Sequence, residues 1–178
     1  MTDFKVMRDR ARVSFSTFAF VVSFFAPRAA AQEHRAQQYK TLEEMPAVQR
    51  ALLQRVIPNL DAKRWSVVYV DNAHMTSLDR ETVKKTSEDQ FDLWVRRDYV
   101  EPMKLSKGTA DHALTREAVD CSGAHFRVLK SVAYSVSGSP VLVIETPFER
   151  QDIVPASVGE TEYGEICHDA REIGKPSK

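Results

Sequence analysis

Hydrophobic and polar residues alternate through the middle of the chain. Every second residue is apolar in most of "RWSVVYVD" (64–71), "QFDLWVRRDY" (90–99) and "AHFRVLKSVAYSV" (124–136), and "PVLVIET" (140–146) adds a short apolar run. A period of two residues is typical of antiparallel strands that bury one face. The breaks between these runs carry glycine, serine and proline, which favour turns. The sequence therefore predicts a meander of five or six strands.

Two of the breaks are short enough to predict hairpins. Only two residues separate the run 113–121 from the run 124–136, so the two runs form a hairpin if both are strands. "SVSGSP" (135–140) resembles a reactive serine segment, but a glycine-centred break between two apolar runs favours a hairpin loop.

Helical periodicity appears before and after the predicted strands. Residues 41–57 place apolar side chains at helical spacing, and this helix opens with the capping box Thr41–Glu44. Pro46 lets the regular part of the helix begin near that position. A second capping box, Ser157–Glu160, starts a carboxy-terminal helix that carries Cys167 towards the sheet. The predicted fold class is α+β: a single antiparallel sheet, a disulfide-strapped carboxy-terminal helix and an extra amino-terminal helix.

The first 31 residues have the three-part layout of a secretory signal peptide. A basic segment is followed by a predominantly apolar segment of 15 residues (13–27) and by alanines at positions 29–31. The apolar run is too short for a membrane-spanning helix, which needs about 20 residues. We expect cleavage between Ala31 and Gln32, a polar tail and amphipathic helix over 32–63, the folded domain over 64–170 and a polar tail over 171–178.

Export changes the interpretation of the charge. The whole chain has 25 basic and 25 acidic residues, of which residues 1–31 hold five and two, so 20 basic and 23 acidic residues remain after cleavage. A net charge of −3 disfavours a nucleic-acid binder, because such proteins need a basic face. The expected location is periplasmic or extracellular, with no membrane span after cleavage.

The two cysteines, Cys121 and Cys167, allow three interpretations. An oxidising compartment favours a disulfide that straps the last helix onto the sheet. Cys121, His125, Cys167 and His168 are also the residue types of a zinc site, although the spacing lacks C-x-x-C and H-x-x-x-H. A cysteine nucleophile would need a base, for which His125 is the candidate. The spacing predicts no cofactor and no metal, and the disulfide is the favoured interpretation.

A set of residues along the chain resembles the surface-adhesin protein E-like domain family of exported proteobacterial proteins. The resemblance covers residues 65–168 and rests on these features: Trp65, Asp79 with Val83, Trp94 in "LWVR", Asp120–Cys121, Phe126, Arg127 and Tyr134 on the next strand, and the closing "IVPASVGETEYGEIC" (153–167). The resemblance implies a Cys121–Cys167 disulfide and an antiparallel sheet with a packed carboxy-terminal helix. One departure is Ala156, which stands where the family pattern has glycine.

The first functional hypothesis is a non-catalytic binding module of the bacterial envelope, of an adhesin-like kind. Its partner would be an unidentified macromolecule, either a host or an envelope component. The run "DRETVKKTSED" (79–89) is the most charged exposed candidate patch, although such runs are usually solvated loops. The helix over 41–57 allows a dimer if it lies across a second copy.

Two other functional classes are alternatives. A small periplasmic hydrolase would draw on His74 with Ser77 and Asp79, on His112 after Asp111, or on Glu145. The sequence lacks G-x-S-x-G, H-E-x-x-H, S-x-x-K and a glycine-rich phosphate loop, so we expect no enzyme and no catalytic residues. An inhibitor-type partner protein that uses the 41–57 helix is the other alternative.

Mass spectrometry of the natively exported protein tests export and cysteine pairing together. We expect a chain that begins at Gln32, is two hydrogens lighter than the reduced form and takes up no alkylating reagent without reduction. An uncleaved chain with two reactive thiols would contradict both expectations and would reopen the zinc and nucleophile interpretations.

Overall fold

The structure is a computed structural model that describes residues 44–174. Within this range the chain forms two α-helices and eight strands. In order they are α1 (Ala47–Val56), β1 (Trp65–Val70), β2 (His74–Asp79), β3 (Lys84–Ser87), β4 (Gln90–Leu105), β5 (Gly108–Asp120), β6 (His125–Tyr134), β7 (Pro140–Ile144), β8 (Gln151–Asp152) and α2 (Val158–Ile173). A short 3-10 turn, Ile57–Asn59, follows α1. The expected signal peptide and its cleavage site at Ala31 and Gln32 lie outside the described residues.

The strands form one antiparallel sheet in the order β1-β2-β4-β5-β6-β7. β3 pairs with β4, and β8 pairs with β6. The expected number of five or six strands was therefore too low, because these two short strands had no recognisable pattern. β3 is four exposed polar residues and β8 is two. Both predicted hairpins are confirmed, since β5 pairs with β6 and β6 pairs with β7.

The charged run 79–89 is not one solvated loop. Asp79 is the last residue of β2 and is 1% exposed, while residues 84–87 of the run form β3. The carboxylate of Asp79 accepts hydrogen bonds from Nε and Nη2 of Arg64 at 3.0 and 2.6 Å. A buried carboxylate needs such a partner, and Arg64 lies 15 positions earlier, so the pairing does not show in the local sequence.

One face of the sheet, here called the front face, is covered by α2. The pairing of Leu78 with Val95 places these two side chains on this face, with Leu93 two residues before Val95. They form the main core with Phe91, Val119, Tyr163, Ile166, Cys167 and Ala170. A disulfide joins Cys121, just after β5, to Cys167 on α2, which confirms the expected pair.

Both ends of α2 are fixed by polar contacts. The Ser157 hydroxyl accepts a hydrogen bond from the Glu160 amide at 3.1 Å, and the Glu160 carboxylate accepts one from the Ala156 amide at 2.6 Å. At the other end Arg171 donates to both carboxylate oxygens of Asp89 at 2.8 Å. The helix therefore continues to Ile173, and residues 171–173, which the sequence assigned to a polar tail, are helical.

The opposite face, here called the back face, is partly covered by α1. Leu52 and Val56 of this helix pack against Met75, whose side chain lies on the back face because Leu78, three residues on, lies on the front. Arg55 also donates a hydrogen bond to the backbone oxygen of Tyr99. The described helix begins at Ala47 after Pro46, while Thr41 of the expected capping box lies outside the described residues. Packing within the same chain accounts for the apolar stripe of α1.

No helix among residues 44–174 combines the length and the apolar character that crossing a membrane requires.

Ala156 has a left-handed backbone, with φ of 58°. A side chain at such a position costs about 1–2 kcal/mol, part of which is offset because alanine restricts the unfolded chain more than glycine does. Ala156→Gly should therefore raise the free energy of unfolding, measured in urea, by about 0.5–1 kcal/mol.

Ala73→Gly is the matched control, because Ala73 is also exposed in a loop but is not among the residues with positive φ. Glycine there should lower stability. Equal effects at both positions would contradict the backbone explanation of the Ala156 departure.

Candidate functional site

Two features outside the apolar core are candidates for function: a buried polar cluster on the front face and the uncovered part of the back face. The buried cluster centres on Arg97 of β4. Its Nη1 donates to Glu117 of β5 at 2.7 Å, and its Nε donates to Glu162 of α2 at 2.8 Å. Tyr163 donates to the other oxygen of Glu117 at 3.0 Å. The cluster thus joins two strands to the helix by charge-assisted hydrogen bonds.

The cluster continues towards the start of β2. Thr76 donates to Glu162 at 2.9 Å, and Nε2 of His74 lies 3.4 Å from the other Glu162 oxygen. On its other side, Nδ1 of His74 lies 3.4 Å from the carboxylate of Asp71, which accepts a hydrogen bond from Tyr69 at 3.3 Å. The imidazole is therefore placed between two carboxylates.

Charge and burial oppose each other in this cluster. Burial alone would raise the pKa of Glu162, but the charge of Arg97 and the hydrogen bonds from His74 and Thr76 outweigh it and lower the pKa to about 2. Burial raises the pKa of Tyr163 well above its usual value, and the negative charge of Glu117 raises it further. At neutral pH, Glu162 is therefore ionised and Tyr163 is protonated.

The cluster is buried beneath α2 and holds the helix to the sheet. Glu117 and Glu162 are 1% and 2% exposed. Two concavities on the surface of the described residues do not include these carboxylates: one beside α1 is lined by Val48, Leu52 and Val100 among others, and one near the β6–β7 turn is lined by Pro102 and Val136 among others. Hydrogen-bonded, ionised and buried groups of this kind stabilise the attachment of a helix.

The residues that the hydrolase alternative would use do not meet. His74 is on the front face, whereas Ser77 and Asp79 are on the back face. Successive side chains of β2 point to opposite faces, and Ser77 and Asp79 lie three and five residues after His74. His112 lies 3.0 Å from Asp111, and its ring stacks on Tyr134. Glu145 is exposed and pairs with Lys130.

The disulfide removes the thiol groups that the zinc and nucleophile interpretations require. Cys121 and Cys167 are bonded to each other, so neither supplies a thiolate. His125 lies 3.4 Å from Asp120, and His168 is exposed on α2. Among residues 44–174 no group of three or more His, Cys, Asp or Glu side chains is arranged to hold a metal ion.

The uncovered part of the back face, here called the open face, comprises the outward side chains of β4, β5 and β6 beyond α1. Strand pairing sets Trp94 opposite Arg116, and Arg116 opposite Lys130. These side chains form a row across the strands. The pairing of Leu78 with Val95 sets Asp79 next to Trp94, and Trp65 of β1 lies opposite Asp79, so the row continues to β1. The row therefore brings together both tryptophans of the chain and Asp79, three residues of the family pattern that are far apart in sequence.

Ion pairs lie across the open face. Arg116 donates to both oxygens of Asp92 at 2.9 and 2.6 Å, and Lys130 donates to Glu145 at 3.0 Å. The hydrogen bond and charge of Asp92 raise the pKa of Arg116. The side chains of Arg116 and Lys130 are 47% and 40% exposed, so solvent screens these pairs and each contributes at most about 1 kcal/mol.

The sequence singled out Trp65, Asp79 and Trp94 of the row, but it indicated neither the role of Arg116 and Lys130 nor the buried cluster. A usable signal existed for Glu117, since Ala113, Thr115 and Val119 occupy the inward positions around it and a charged residue at such a position needs a buried partner. For Glu162 the signal was weaker. A glutamate next to the apolar residues Tyr163 and Ile166 can equally lie at the exposed border of the apolar face of an amphipathic helix.

Comparison with known proteins identifies one family. A family model described as surface-adhesin protein E matches residues 65–168, the range over which the motifs resemble that family. No curated protein and no solved structure matches the chain significantly.

The buried cluster predicts acid sensitivity. The pKa of Glu162 is lowered to about 2 from an ordinary value near 4.5, so its contribution to folding is complete above the ordinary pKa and is lost as the pH falls towards 2. Glu162→Gln should cost about 2–3 kcal/mol at neutral pH, because Arg97 then keeps only one carboxylate. Urea unfolding from neutral pH down to pH 2 should show wild type and variant converging.

Glu165→Gln is the control, since Glu165 is exposed on the same helix. A Glu162→Gln variant that is as stable as Glu165→Gln at neutral pH would contradict the role assigned to the cluster.

Proposed function

The chain belongs to the surface-adhesin protein E family, and we propose that it is an exported bacterial envelope protein that binds another macromolecule through its open face. In this proposal residues 1–31 are a cleaved signal peptide, and the mature protein is a non-catalytic, adhesin-like module. The match covers the whole sheet and most of α2, so the family assignment applies to the elements that form the open face.

The observation that supports this proposal is the composition of the open face. A solvated sheet face normally carries polar residues, but this one also carries Trp94 of β4, which is half-buried. Val67 of β1 and Val143 of β7 lie on the back face on either side of the open face and are 38% and 51% exposed. Aromatic and arginine side chains together are typical of residues that dominate binding energy at protein interfaces.

The disulfide supports export. A bond between cysteines 46 positions apart persists in an oxidising compartment such as the periplasm or the cell exterior. Within the chain-entropy model its contribution is about 4 kcal/mol, a large share of the roughly 5–15 kcal/mol that stabilises a typical domain. The protein would therefore depend on an oxidising location for its stability.

The hydrolase alternative has less support. Its candidate side chains are divided between the two faces of the sheet, and the polar cluster that could supply acid–base groups is enclosed beneath α2. The partner-protein alternative through the first helix is also weaker, because α1 buries Leu52 and Val56 against its own sheet.

Attachment of the labelled, full-length protein to surfaces tests the proposal. We expect saturable binding either to envelope fragments of the producing bacterium or to extracellular matrix. Ala118→Tyr adds bulk at a half-buried position of the open face, in the row beside Trp94, and should weaken attachment by roughly tenfold. Glu165→Tyr adds similar bulk on the exposed side of α2 and should have no effect.

Two results would count against the proposal. Absence of saturable attachment to both surfaces would contradict a binding module. Attachment that is insensitive to Ala118→Tyr but lost in Glu165→Tyr would place the binding surface on α2 and not on the open face.

A further inference from the structure

We propose that the ligand of the open face is an anionic polysaccharide, whose sugar rings lie over Trp94 and whose carboxylate or sulfate groups pair with Arg116, Arg127 and Lys130. This inference rests on the proposed function, because it names the ligand class for the same surface.

Three cations lie close together on the open face, although the domain as a whole has more acidic than basic residues. Residues 44–174 contain 16 Lys and Arg against 21 Asp and Glu, so a basic patch does not follow from composition. Nevertheless Arg116 and Lys130 lie directly opposite each other on β5 and β6. Like charges in that position are destabilising, and here Asp92 and Glu145 only partly neutralise them. Arg127 is on the same face of β6, opposite Ala118.

These cations keep donors for a ligand. Among residues 44–174, Arg116 uses Nε and Nη2 on Asp92, which leaves Nη1, and Lys130 makes one hydrogen bond, to Glu145. Arg127 is exposed, and its hydrogen bond within the described residues runs from Nε to the backbone oxygen of Phe148. Its two Nη groups can therefore donate to a carboxylate or sulfate, for which guanidinium geometry is well suited.

The shape of the surface favours a linear polymer over a peptide. β4 and β5 are paired on both sides over this region. Along the outer side of β6, the gap between its pairings with β8 at Phe126 and with β7 from Ser131 is partly occupied by Phe148, whose amide donates to the Val128 oxygen. Little free edge is therefore left for an added strand. Ala118 is a small residue among Arg116, Arg127 and Asp92, which leaves a shallow floor. Trp94 to Lys130 spans two strand spacings, about 10 Å, a length over which a short stretch of sugar rings can lie flat.

An aromatic ring beside cations matches both parts of such a polymer. The faces of pyranose rings are lined by C–H groups and pack on indole, while the substituents at their edges carry the charge. Trp94 lies opposite Arg116 on the neighbouring strand, at a spacing of about 4.5–5.5 Å between Cβ atoms. A sugar ring over Trp94 would therefore bring an anionic substituent within reach of Arg116 and Lys130.

Heparin serves as the probe, with uncharged dextran and polyglutamate for comparison. We expect the full-length protein to bind heparin at low salt, to lose affinity as salt rises and not to bind dextran. Arg127→Ala/Lys130→Ala should weaken heparin binding by at least about tenfold. The matched control is Lys104→Ala/Lys107→Ala, which removes the same charge from exposed positions at the β4–β5 hairpin and should change the affinity less than about twofold.

The tryptophan gives an independent readout. Heparin should change the indole fluorescence of the wild type, and Trp94→Phe should abolish most of that change while keeping more affinity than Trp94→Ala. Circular dichroism of each variant identifies loss of fold, and Trp94→Phe keeps the test valid if Trp94→Ala does not fold.

Three outcomes would overturn the inference: equal weakening by the two double variants, equal binding of polyglutamate and heparin, or equal binding of dextran. None of these outcomes contradicts the proposed function if Ala118→Tyr still weakens attachment to envelope or matrix. Heparin binding through the open face without attachment to either surface would instead count against the proposed function alone.

Discussion

The arrangement of the domain depends on the charge pairing beneath α2. Arg97, Glu117 and Glu162 come from β4, β5 and the helix, and none is more than one-fifth exposed. An unpaired buried charge costs several kcal/mol, so the helix is held at the one position where Glu162 meets Arg97. Apolar contacts alone would permit small shifts of a helix along a sheet. The charged cluster removes that freedom, and the disulfide five residues further along α2 fixes a second point.

The position of α2 determines which part of the sheet is available to a partner. The helix covers the front face of β1, β2, β4 and β5, while α1 reaches only the end of the back face near Met75. Because side chains alternate along a strand, every residue that faces away from Glu117 or Leu93 is outside that core. Trp94 and Arg116 follow this rule, since they are the immediate neighbours of those two residues. The fixed core and the open face are thus two consequences of one strand register.

Local patterns predicted the elements that depend on neighbouring residues. The capping box at Ser157 and Glu160, the alternation in β4 and β6 and the two hairpins all depend on side chains within a few positions of each other. The paired cysteines also followed, through the resemblance of the motifs. β3 could not be recognised, because Lys84–Ser87 is stabilised only by pairing with β4 and buries nothing of its own.

Long-range pairing explains the rest of what the sequence did not reveal. Glu162 meets Arg97 across 65 positions and Glu117 meets Tyr163 across 46, so no local window contains both partners. Asp79 seemed part of a solvated charged run for a similar reason, since its partner Arg64 lies in the turn just before β1, 15 positions earlier. The row from Trp65 to Lys130 required the register of five strands. Motif residues such as Trp65, Asp79 and Trp94 were visible in the sequence, but their common face was not.

The ion pairs of the open face affect how such a surface would bind. Arg116 and Lys130 are already paired with Asp92 and Glu145, so an incoming anion gains only the difference between its own contacts and those pairs. Each exposed contact is therefore weak and is screened by salt. A repeating polymer offsets this weakness, because several copies of the protein on one surface can engage the same chain and raise the overall strength of attachment well above that of one site. Under the proposed function, attachment would therefore rest on weak, repeated and salt-sensitive contacts, which are what a flat, partly neutralised sheet face can provide.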